Sequence, residues 1–470
     1  MRLSSYSRSF ALLAALVHLH GLFAAPVPDD TCEADDPSPD FSPQRSVQGS
    51  EFWAGADVGT LLRQEAIPNR VYVDFDGKTV KDPIRTLGEA GVNAVRIETS
   101  LGQCLGPSKF DNSGDVGARE LMYQLDWGCI DIQVTTAQRA VALGMKVQLI
   151  INMGEIIPDA WLSYDYKHMF DAVQEETKRQ LQPFLDVKLV PDMILFENEG
   201  TDGFLMKDNK TGHVRGVHDG KASDSQYEQE LCGIIPHGNM ASYPQLAGFY
   251  KGEAQACTEA ITAANLSVAG VRYGLHSHGQ FVDWKEGIVH GPSPGNKSSQ
   301  TTPSGRVCDF GPIIPSDILA QNASKILTIM GFSAYPDPMM PIDINSNKSI
   351  DATLVRLNTT LTKLQSYADA YAKNKVTLRS LGVEYSTGYS YSRHEIPQQQ
   401  THTACMWELV KRFDSFLGMM WWEPWYCNND WEGGDAALCH HFDNGSMAIQ
   451  APTDTLRTWG SAAVSPWKGK

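Results

Sequence analysis

Two glutamates in this sequence each follow an apolar run, and they are the side chains best placed to do chemistry. Leu381 to Val383 lead into Glu384, and Met193 to Phe196 lead into the segment that holds Glu199. An ionised carboxylate at the end of a buried strand carries a large free-energy cost unless a cation pairs with it or a reaction uses it. We therefore expect the fold to bring Glu199 and Glu384 together as a pair of carboxylates.

The elements that must position this pair alternate between apolar strands and amphipathic helices. The strands show no polar alternation, which is typical of a parallel sheet covered by helices on its faces. The predicted strands are a run ending at Asp57, 94–98, 147–151, a run ending at Glu199, 271–275, 326–335, a run ending at Glu384, and 416–422. This α/β pattern predicts a single (β/α)8 TIM barrel, in which active residues lie at the C-terminal ends of strands. Polar, glycine-rich segments at 200–243 and 287–311 predict long loops after strands four and five.

The N-terminus has the layout of a secretory signal peptide. Arg2 and Arg8 precede an apolar run from Phe10 to Phe23, and two alanines follow it. We assign residues 1–25 to the signal, 26–50 to a flexible segment rich in Asp, Pro and Ser, and 51–470 to one catalytic domain. No other segment is long and apolar enough to span a bilayer, so we expect a secreted, extracellular protein that is not held in a membrane.

The cysteines and glycosylation sequons agree with that compartment. Nine cysteines occur without a Cys-x-x-Cys spacing, which favours disulfides over a metal cage. Cys104 with Cys129 and Cys427 with Cys439 are the expected local pairs; the other pairings stay open, and one cysteine is left over. Asn-x-Ser/Thr sequons mark surface positions at Asn209, Asn265, Asn296, Asn322, Asn347, Asn358 and Asn444.

The net charge limits the partners that this chain can bind. A formal charge of −16 repels phosphate backbones, so we expect no nucleic acid partner. A neutral polysaccharide is not penalised by this charge. We expect a monomer that needs no cofactor.

The paired glutamates suit the hydrolysis of a glycosidic bond with retention. That reaction needs one carboxylic acid to protonate the leaving oxygen and one carboxylate to attack, held about 5–5.5 Å apart. Glu199 and Glu384 would end strands four and seven, which face each other across the barrel mouth. The alternative is that both are structural acids paired with arginines such as Arg96.

An aromatic stretch follows the last predicted strand, at Trp421-Trp422-Glu423-Pro424-Trp425. At a barrel mouth, flat rings can stack on the apolar faces of sugars. We predict that Trp421 packs in the core, whereas Trp422 and Trp425 contact substrate.

Histidine clusters offer a metal-dependent alternative. His276-Ser277-His278 follows a predicted strand, and Cys439-His440-His441 is a second cluster. In metal-dependent hydrolase barrels, such a His-x-His pair normally ends the first strand, which here ends at Asp57 instead. We therefore predict no catalytic metal and assign His276 to a sugar contact. A calcium ion at Asn428-Asn429-Asp430 stays open, because ordinary turn chemistry explains that run equally well.

An ordered set of motifs between about Phe52 and Trp459 resembles glycoside hydrolase family 53, the endo-β-1,4-galactanases of the retaining (β/α)8-barrel superfamily. The motifs are Gly55-Ala56-Asp57, Leu87 to Arg96, Ile130 to Val147, Asn198-Glu199, Ser333-Ala334-Tyr335-Pro336, Val383-Glu384 and Met420 to Trp425. The resemblance implies that Glu199 is the acid/base and Glu384 the nucleophile. It also implies that Asn198 binds the sugar 2-hydroxyl and that Arg96 and Tyr335 keep Glu384 ionised. Trp422 is then expected to form the floor of the subsite that holds the sugar at the cleaved bond.

The sequence departs from that family where substrate is read. Ile151 to Ile157 occupies the place of the family's His-Tyr-Ser-Asp-x-Trp-Ala-Asp-Pro stretch, and Glu98 stands where a further arginine is usual. We predict a secreted, endo-β-1,4-galactanase-like enzyme that cleaves plant cell-wall galactan or arabinogalactan by double displacement. The alternatives are a related retaining endo-β-glycanase with another polysaccharide substrate, and a non-catalytic glycan-binding protein.

Overall fold

Eight parallel strands close into a barrel in the computed structural model of this protein. The structure describes residues 52–66, 69–100, 130–153, 166–198, 204–206, 233–235, 243–278, 300–301, 307–308, 326–334, 348–373, 376–386, 396–425, 438–444 and 447–464. The described strands are β1 (Trp53–Asp57), β2 (Arg70–Tyr72), β3 (Ala94–Ser100), β4 (Lys146–Asn152), β5 (Met193–Phe196), β6 (Phe204–Met206), β7 (Gly233–Ile235), β8 (Arg272–His278), β9 (Gln300–Thr301), β10 (Val307–Cys308), β11 (Leu327–Ala334), β12 (Arg379–Tyr385), β13 (Phe416–Trp421), β14 (Cys439–Asn444) and β15 (Met447–Pro452).

The barrel is closed in the order β1-β13-β12-β11-β8-β5-β4-β3, and the other strands form small separate sheets. Strands β14, β15 and β2 make a three-stranded sheet, while β6 with β7 and β9 with β10 form antiparallel pairs. The described helices are α1 (Leu61–Ala66), α2 (Pro83–Glu89), α3 (Ile130–Ala142), α4 (Tyr166–Asp186), α5 (Tyr243–Ala263), α6 (Lys348–Ala372), α7 (Ile396–Val410) and α8 (Asp454–Val464). The predicted α/β barrel of eight strands is confirmed.

Helix α2 begins where the sequence provides a capping group. At the start of α2, the Asp82 carboxylate accepts hydrogen bonds from the backbone N–H groups of Ile84 and Arg85, at 2.8 and 3.1 Å. Pro83 takes the first helical position, where its missing N–H group is not needed. The apolar face of the helix then buries Ile84 and Leu87 against the barrel.

The inside of the barrel is a packed apolar plug. Its side chains form a cluster of their own, which consists of Trp53, Ala94, Ile150, Met193, Leu195, Ile329, Leu381, Val383, Leu417 and Met420. A side chain at Gly55 would clash with this plug, because a Cβ atom added there would lie 1.7 Å from the Met420 sulfur. Gly418 has a φ of 143°, and a Cβ there would lie 2.0 Å from the carbonyl oxygen of Trp53. Chemistry is therefore confined to the polar mouth at the carboxyl ends of the strands.

Several predicted features fall outside the described residues. These are the signal peptide at 1–25, the segment at 26–50, and most of the two long loops. Both predicted disulfides also include undescribed cysteines. Within the described part, Cys405 and Cys439 each belong to a disulfide, and Cys257 is a buried free thiol. None of the helices in that part has the length and hydropathy of a bilayer span.

Candidate active site

Arg96 lies at the centre of the barrel mouth and joins three of its strands. Its side chain projects from β3 and is 1% exposed. One terminal nitrogen, Nη1, pairs with the Asp57 carboxylate at the end of β1. The other, Nη2, lies 2.7 Å from Oε1 of Glu384 on β12 and 2.6 Å from Oδ1 of Asn198, which follows β5. A single buried guanidinium therefore orients groups from opposite sides of the barrel.

The Arg96 guanidinium is a single cation that lies close to several carboxylates. Glu98, two residues after Arg96 on the same face of β3, has Oε2 at 3.4 Å from Nη2. Its other oxygen, Oε1, accepts a hydrogen bond from the Asn152 amide at 2.9 Å. Asp57, Glu98 and Glu384 thus share one cation, and burial makes it costly for all three to be ionised at once.

Asp57 is the member of this group whose pKa moves upward. Burial raises the pKa of its carboxyl from 3.8 to about 6, and the nearby charge of Glu384 adds to that effect. The charge of Arg96 and the N–H group of Gly59, which donates to Oδ1 at 3.1 Å, act in the opposite direction. Asp57 can therefore take up a proton near pH 6 while it stays within the cluster.

Glu423 is a second buried acid beside Asp57. It follows β13 in the left-handed region, with φ at 43°. Its oxygens accept from the N–H and hydroxyl groups of Thr60, at 3.0 and 2.6 Å. Burial and the neighbouring charge of Asp57 raise the pKa of Glu423 well above its usual range. These hydrogen bonds join the end of the last strand to the loop after the first one, and so brace the mouth where the barrel closes.

Glu384 reaches the mouth because β12 contains an irregularity. Against β11, Phe332 pairs with Gly382 but Ser333 pairs with Glu384, so that Val383 is left over. The register with β13 shifts over the same stretch. Val383 belongs to the inner plug and Glu384 contacts Arg96, so two consecutive side chains face the barrel axis. An extra residue in a strand is a known means of re-aiming a side chain beside an active site.

Ser333 and His276 lie on the other side of the Glu384 carboxylate. The Ser333 hydroxyl donates to Oε2 of Glu384 at 3.2 Å. Nε2 of His276, on β8, lies 2.8 Å from the same hydroxyl oxygen. Both side chains are buried. His276 therefore has a protein partner at the mouth, and the predicted sugar contact by His276 stays a prediction.

The turn after β5 carries the Asn-Glu pair. The structure ends this strand at Phe196, so the prediction that it runs to Glu199 is wrong. The reason is that Glu197 takes a left-handed conformation, with φ at 64°, and its carboxylate accepts the N–H of Met153 at 3.2 Å. The side chain of the next residue, Asn198, contacts the Arg96 guanidinium. Because a guanidinium only donates, the Asn198 carbonyl oxygen must face it, which leaves the amide nitrogen as a donor for a ligand.

A buried acid on α5, Glu253, interacts electrostatically with Glu197 in that turn. Glu253 is fully buried, and the pKa of its carboxyl is raised well above its usual range by burial and by the charge of Glu197. Burial and the charges of Glu197 and Glu253 also raise the pKa of the Tyr250 hydroxyl. Glu253 therefore favours its neutral form.

The tryptophans at the end of β13 and after it differ in burial. Trp421 is buried as predicted, with edge contacts to Tyr385 at 5.4 Å and Trp459 at 5.0 Å between ring centroids. The Trp422 side chain is half-buried, and the backbone N–H of Trp422 donates to the backbone carbonyl of Tyr385 at 2.7 Å. Trp425 is 1% exposed and meets Tyr72 edge-on at 5.5 Å. The ring of Trp425 packs in the core, and its predicted contact with substrate stays a prediction.

Two predicted site residues, Glu199 and Tyr335, lie outside the described residues. The structure brings together Arg96, Asn198, His276 and Glu384. The motifs did not point to Ser333, Glu98 or Glu423 as parts of the site. The position of Glu98, two residues after Arg96, was the available signal for that residue. Within the described residues, no group of three or more His, Cys, Asp or Glu side chains is arranged to hold a metal ion.

Comparison with known proteins bears on what this mouth does. Residues 53–223, which include β1, β3, β4 and β5, match the sequence model of glycosyl hydrolase family 53. This chain is a glycoside hydrolase similar to family 53. No curated protein matches the hydrolase.

Solved structures agree on the barrel of the hydrolase. It is similar to a fungal β-1,4-galactanase with a TM-score of 0.55 and 15% identity, over 87% of this chain and 98% of that one. It is also similar to a family 53 catalytic domain from Ignisphaera aggregans, with a TM-score of 0.55 and 14% identity, over 90% of this chain and 99% of that one. At these identities the likeness establishes a shared fold.

Proposed function

We propose that this glycoside hydrolase is a secreted, endo-β-1,4-galactanase-like enzyme that cleaves galactan or arabinogalactan with retention of configuration. Glu384 is the nucleophile and Glu199 the acid/base. The observation that carries the proposal is the placement of Glu384, whose Oε1 lies 2.7 Å from Arg96 at the mouth of the barrel. A nearby cation favours the ionised form that a nucleophile needs.

The proposed reaction is a double displacement. A carboxylate oxygen of Glu384 attacks the anomeric carbon while Glu199 gives its proton to the leaving oxygen. Water then cleaves the glycosyl ester, with Glu199 acting as the base. Asn198 supports this scheme, because its carbonyl oxygen is held by Arg96 at 2.6 Å and its amide nitrogen can donate to the 2-hydroxyl of the sugar. Tyr335 and half-buried Trp422 complete the proposed subsite.

The choice of galactan rests on similarity to family 53 over residues 53–223. A different retaining endo-β-glycanase activity is the second candidate, favoured by Ile151 to Ile157 and by Glu98, which replace substrate-reading positions of that family. A glycan-binding protein without turnover is the candidate from another class. The short contact between Arg96 and Glu384 argues against it, because an ionised carboxylate beside a cation is what a nucleophile needs.

The test combines a substrate panel with three variants. Purified protein is incubated with β-1,4-galactan, arabinogalactan and other β-glycans, and reducing ends and the anomeric configuration of the first product are measured. Glu384→Gln and Glu199→Gln should each lower kcat/KM on the preferred glycan by about 10⁴-fold. Glu253→Gln is the matched control, since it replaces a buried glutamate that lies on helix α5 and not at the end of a barrel strand, and it should retain activity.

Each result discriminates between the candidates. Undiminished hydrolysis by Glu384→Gln would contradict the assignment of the nucleophile, and an inverted first product would contradict double displacement. Turnover of another glycan with none on galactan would favour the second candidate. Binding with no turnover of any glycan would favour the glycan-binding protein. Loss of activity with a chelator would point to a metal-dependent hydrolase.

A further inference from the structure

The two oxygens of the Glu384 carboxylate have different partners. Oε1 meets the Arg96 guanidinium at 2.7 Å, whereas Oε2 accepts the Ser333 hydroxyl at 3.2 Å. Family resemblance supplied Arg96 and Tyr335 as the groups that hold this carboxylate, and Ser333 was not among them. A second donor on the opposite oxygen restricts rotation of the carboxylate plane, which a single contact to Oε1 does not do.

The proton directions around Ser333 follow from its neighbours. A serine hydroxyl has one proton to donate, and an ionised carboxylate can only accept. The Ser333 proton is therefore committed to Glu384, so the hydroxyl must accept from His276. This requires a proton on Nε2 of His276, which lies 2.8 Å from the hydroxyl oxygen. The order of donation is thus His276 to Ser333 to Glu384.

The backbone holds this chain of hydrogen bonds in place. Ser333 is the ladder partner of Glu384 only because Val383 is left over from the pairing of β11 with β12. Continuous pairing after Phe332 and Gly382 would put Val383 beside Ser333 instead. On the other edge of β11, Gly331 pairs with His276 on β8, so the imidazole rises from the neighbouring strand. All three side chains are at most 4% exposed.

We infer that Ser333 and His276 are positioning residues that orient the Glu384 carboxylate for attack, with His276 acting through Ser333. The inference rests on the proposed role of Glu384 as nucleophile. It differs from the sequence-based assignment of His276 to a sugar contact, since a histidine acting through Ser333 affects the chemical step rather than substrate affinity.

A double-mutant cycle tests this chain of hydrogen bonds from His276 through Ser333 to Glu384, called the relay below. Ser333→Ala should lower kcat/KM by roughly 10- to 100-fold through kcat, with little change in KM, because it removes one hydrogen bond to a charged group. The acidic limb of the pH profile should move to higher pH, since that bond favours the ionised form of the carboxylate. His276→Ala should lower kcat in the same way, yet add little further loss when Ser333 is already alanine.

Two further variants keep the test decisive if Ser333→Ala does not fold. In His276→Gln the amide nitrogen can take the place of Nε2, so activity should stay within a few-fold of the parent. In His276→Asn the shorter amide cannot reach Ser333, so kcat should fall and the acidic limb should move. Equal activity of the Gln and Asn variants would overturn the inference.

The remaining outcomes separate the relay from the proposed function. Additive losses at the two positions, or a loss at His276 confined to KM, would overturn the relay and restore a sugar contact. If Glu384→Gln abolishes turnover while Ser333→Ala leaves kcat and the pH profile unchanged, the relay fails and the proposed function stands. If Glu384→Gln stays active, the proposed nucleophile fails.

Discussion

Arg96 Nη2 lies 2.7 Å from Glu384 Oε1, while Nη1 of the same guanidinium pairs with Asp57. The arginine is thus fixed by one carboxylate while it holds another. A planar group with donors on two edges can do this, whereas an ammonium group is a single point of charge. The geometry makes Arg96 a brace for the mouth as well as a partner for the proposed nucleophile.

Replacement of Arg96 should therefore affect both stability and catalysis. Arg96→Ala leaves buried carboxylates without their cation and should lower the free energy of unfolding by about 3–5 kcal/mol. Arg96→Lys keeps the charge but not the two-sided geometry, so it should cost less stability and still lower kcat/KM by about 100-fold. Urea unfolding and steady-state kinetics measure the two effects.

Arg139→Lys is the matched control for that pair of variants. Arg139 is partly exposed and bridges Glu65 and Asp82 at 2.5 and 3.0 Å, away from the mouth. Its replacement should leave kcat/KM unchanged and cost less than about 1 kcal/mol. A loss of activity in Arg139→Lys equal to that in Arg96→Lys would mean that the effect is not specific to the mouth.

Asp57 should make the fold less stable as the pH rises. Its pKa is raised from 3.8 in the unfolded chain to about 6 in the fold, so the folded state holds the proton more tightly. The stabilisation is complete below pH 3.8 and is lost as the pH rises through about 6, up to about 3 kcal/mol in total. Relative to the parent, Asp57→Asn should therefore gain stability between these two values, measured by urea unfolding at several pH values.

Asp76 provides a control with the opposite sign. Hydrogen bonds from the Thr79 hydroxyl and from the N–H groups of Thr79 and Lys78 lower the pKa of its carboxyl from 3.8 to about 2. Its contribution is present above pH 3.8 and disappears as the pH falls through about 2, so Asp76→Asn should lose relative stability as the pH rises between these values. A flat difference for Asp57→Asn between pH 4 and 6 would show that Asp57 does not titrate there.

The two tryptophans after β13 should respond differently to truncation. Trp425 is buried against Tyr72, so Trp425→Ala should lower the free energy of unfolding by about 3–5 kcal/mol. Trp422 is half-buried at the proposed subsite, so Trp422→Ala should cost less stability and raise KM by about tenfold. Thermal or urea unfolding and kinetics on an oligosaccharide separate these effects.

Trp425→Phe is the conservative control, because it keeps an aromatic ring against Tyr72 and should restore much of the lost stability. If Trp425→Ala were as stable as the parent and raised KM, the result would support the predicted contact between Trp425 and substrate.

Local patterns in the sequence predicted much of the fold. The predicted strand 94–98 lies within β3, and the predicted strand 147–151 lies within β4. Errors occurred where a local conformation interrupts the pattern. The strand toward Glu199 stops at Phe196 because Glu197 is left-handed, and no apolar periodicity signals that change.

Site residues were predictable to a different degree. Arg96, Asn198 and Glu384 could be named from motifs, and the structure places them in one cluster. In the sequence, Ser333 is only one residue of a motif, and Glu98 is only a departure from the family pattern. For Trp425 the sequence could not give the direction of the ring, since a tryptophan next to a strand end has the same sequence context whether its ring faces the mouth or the core.

The sequence by itself determined the alternation of strands and helices, the acids at the ends of apolar runs, and the likeness to family 53, because these depend on neighbouring residues along the chain. The tertiary structure decided which side chains meet. Glu384 contacts Arg96 and Ser333 only because β12 carries one residue more than its neighbours between Gly382 and Tyr385. Such a register depends on the pairing of distant strands as the barrel closes, and no local pattern encodes it.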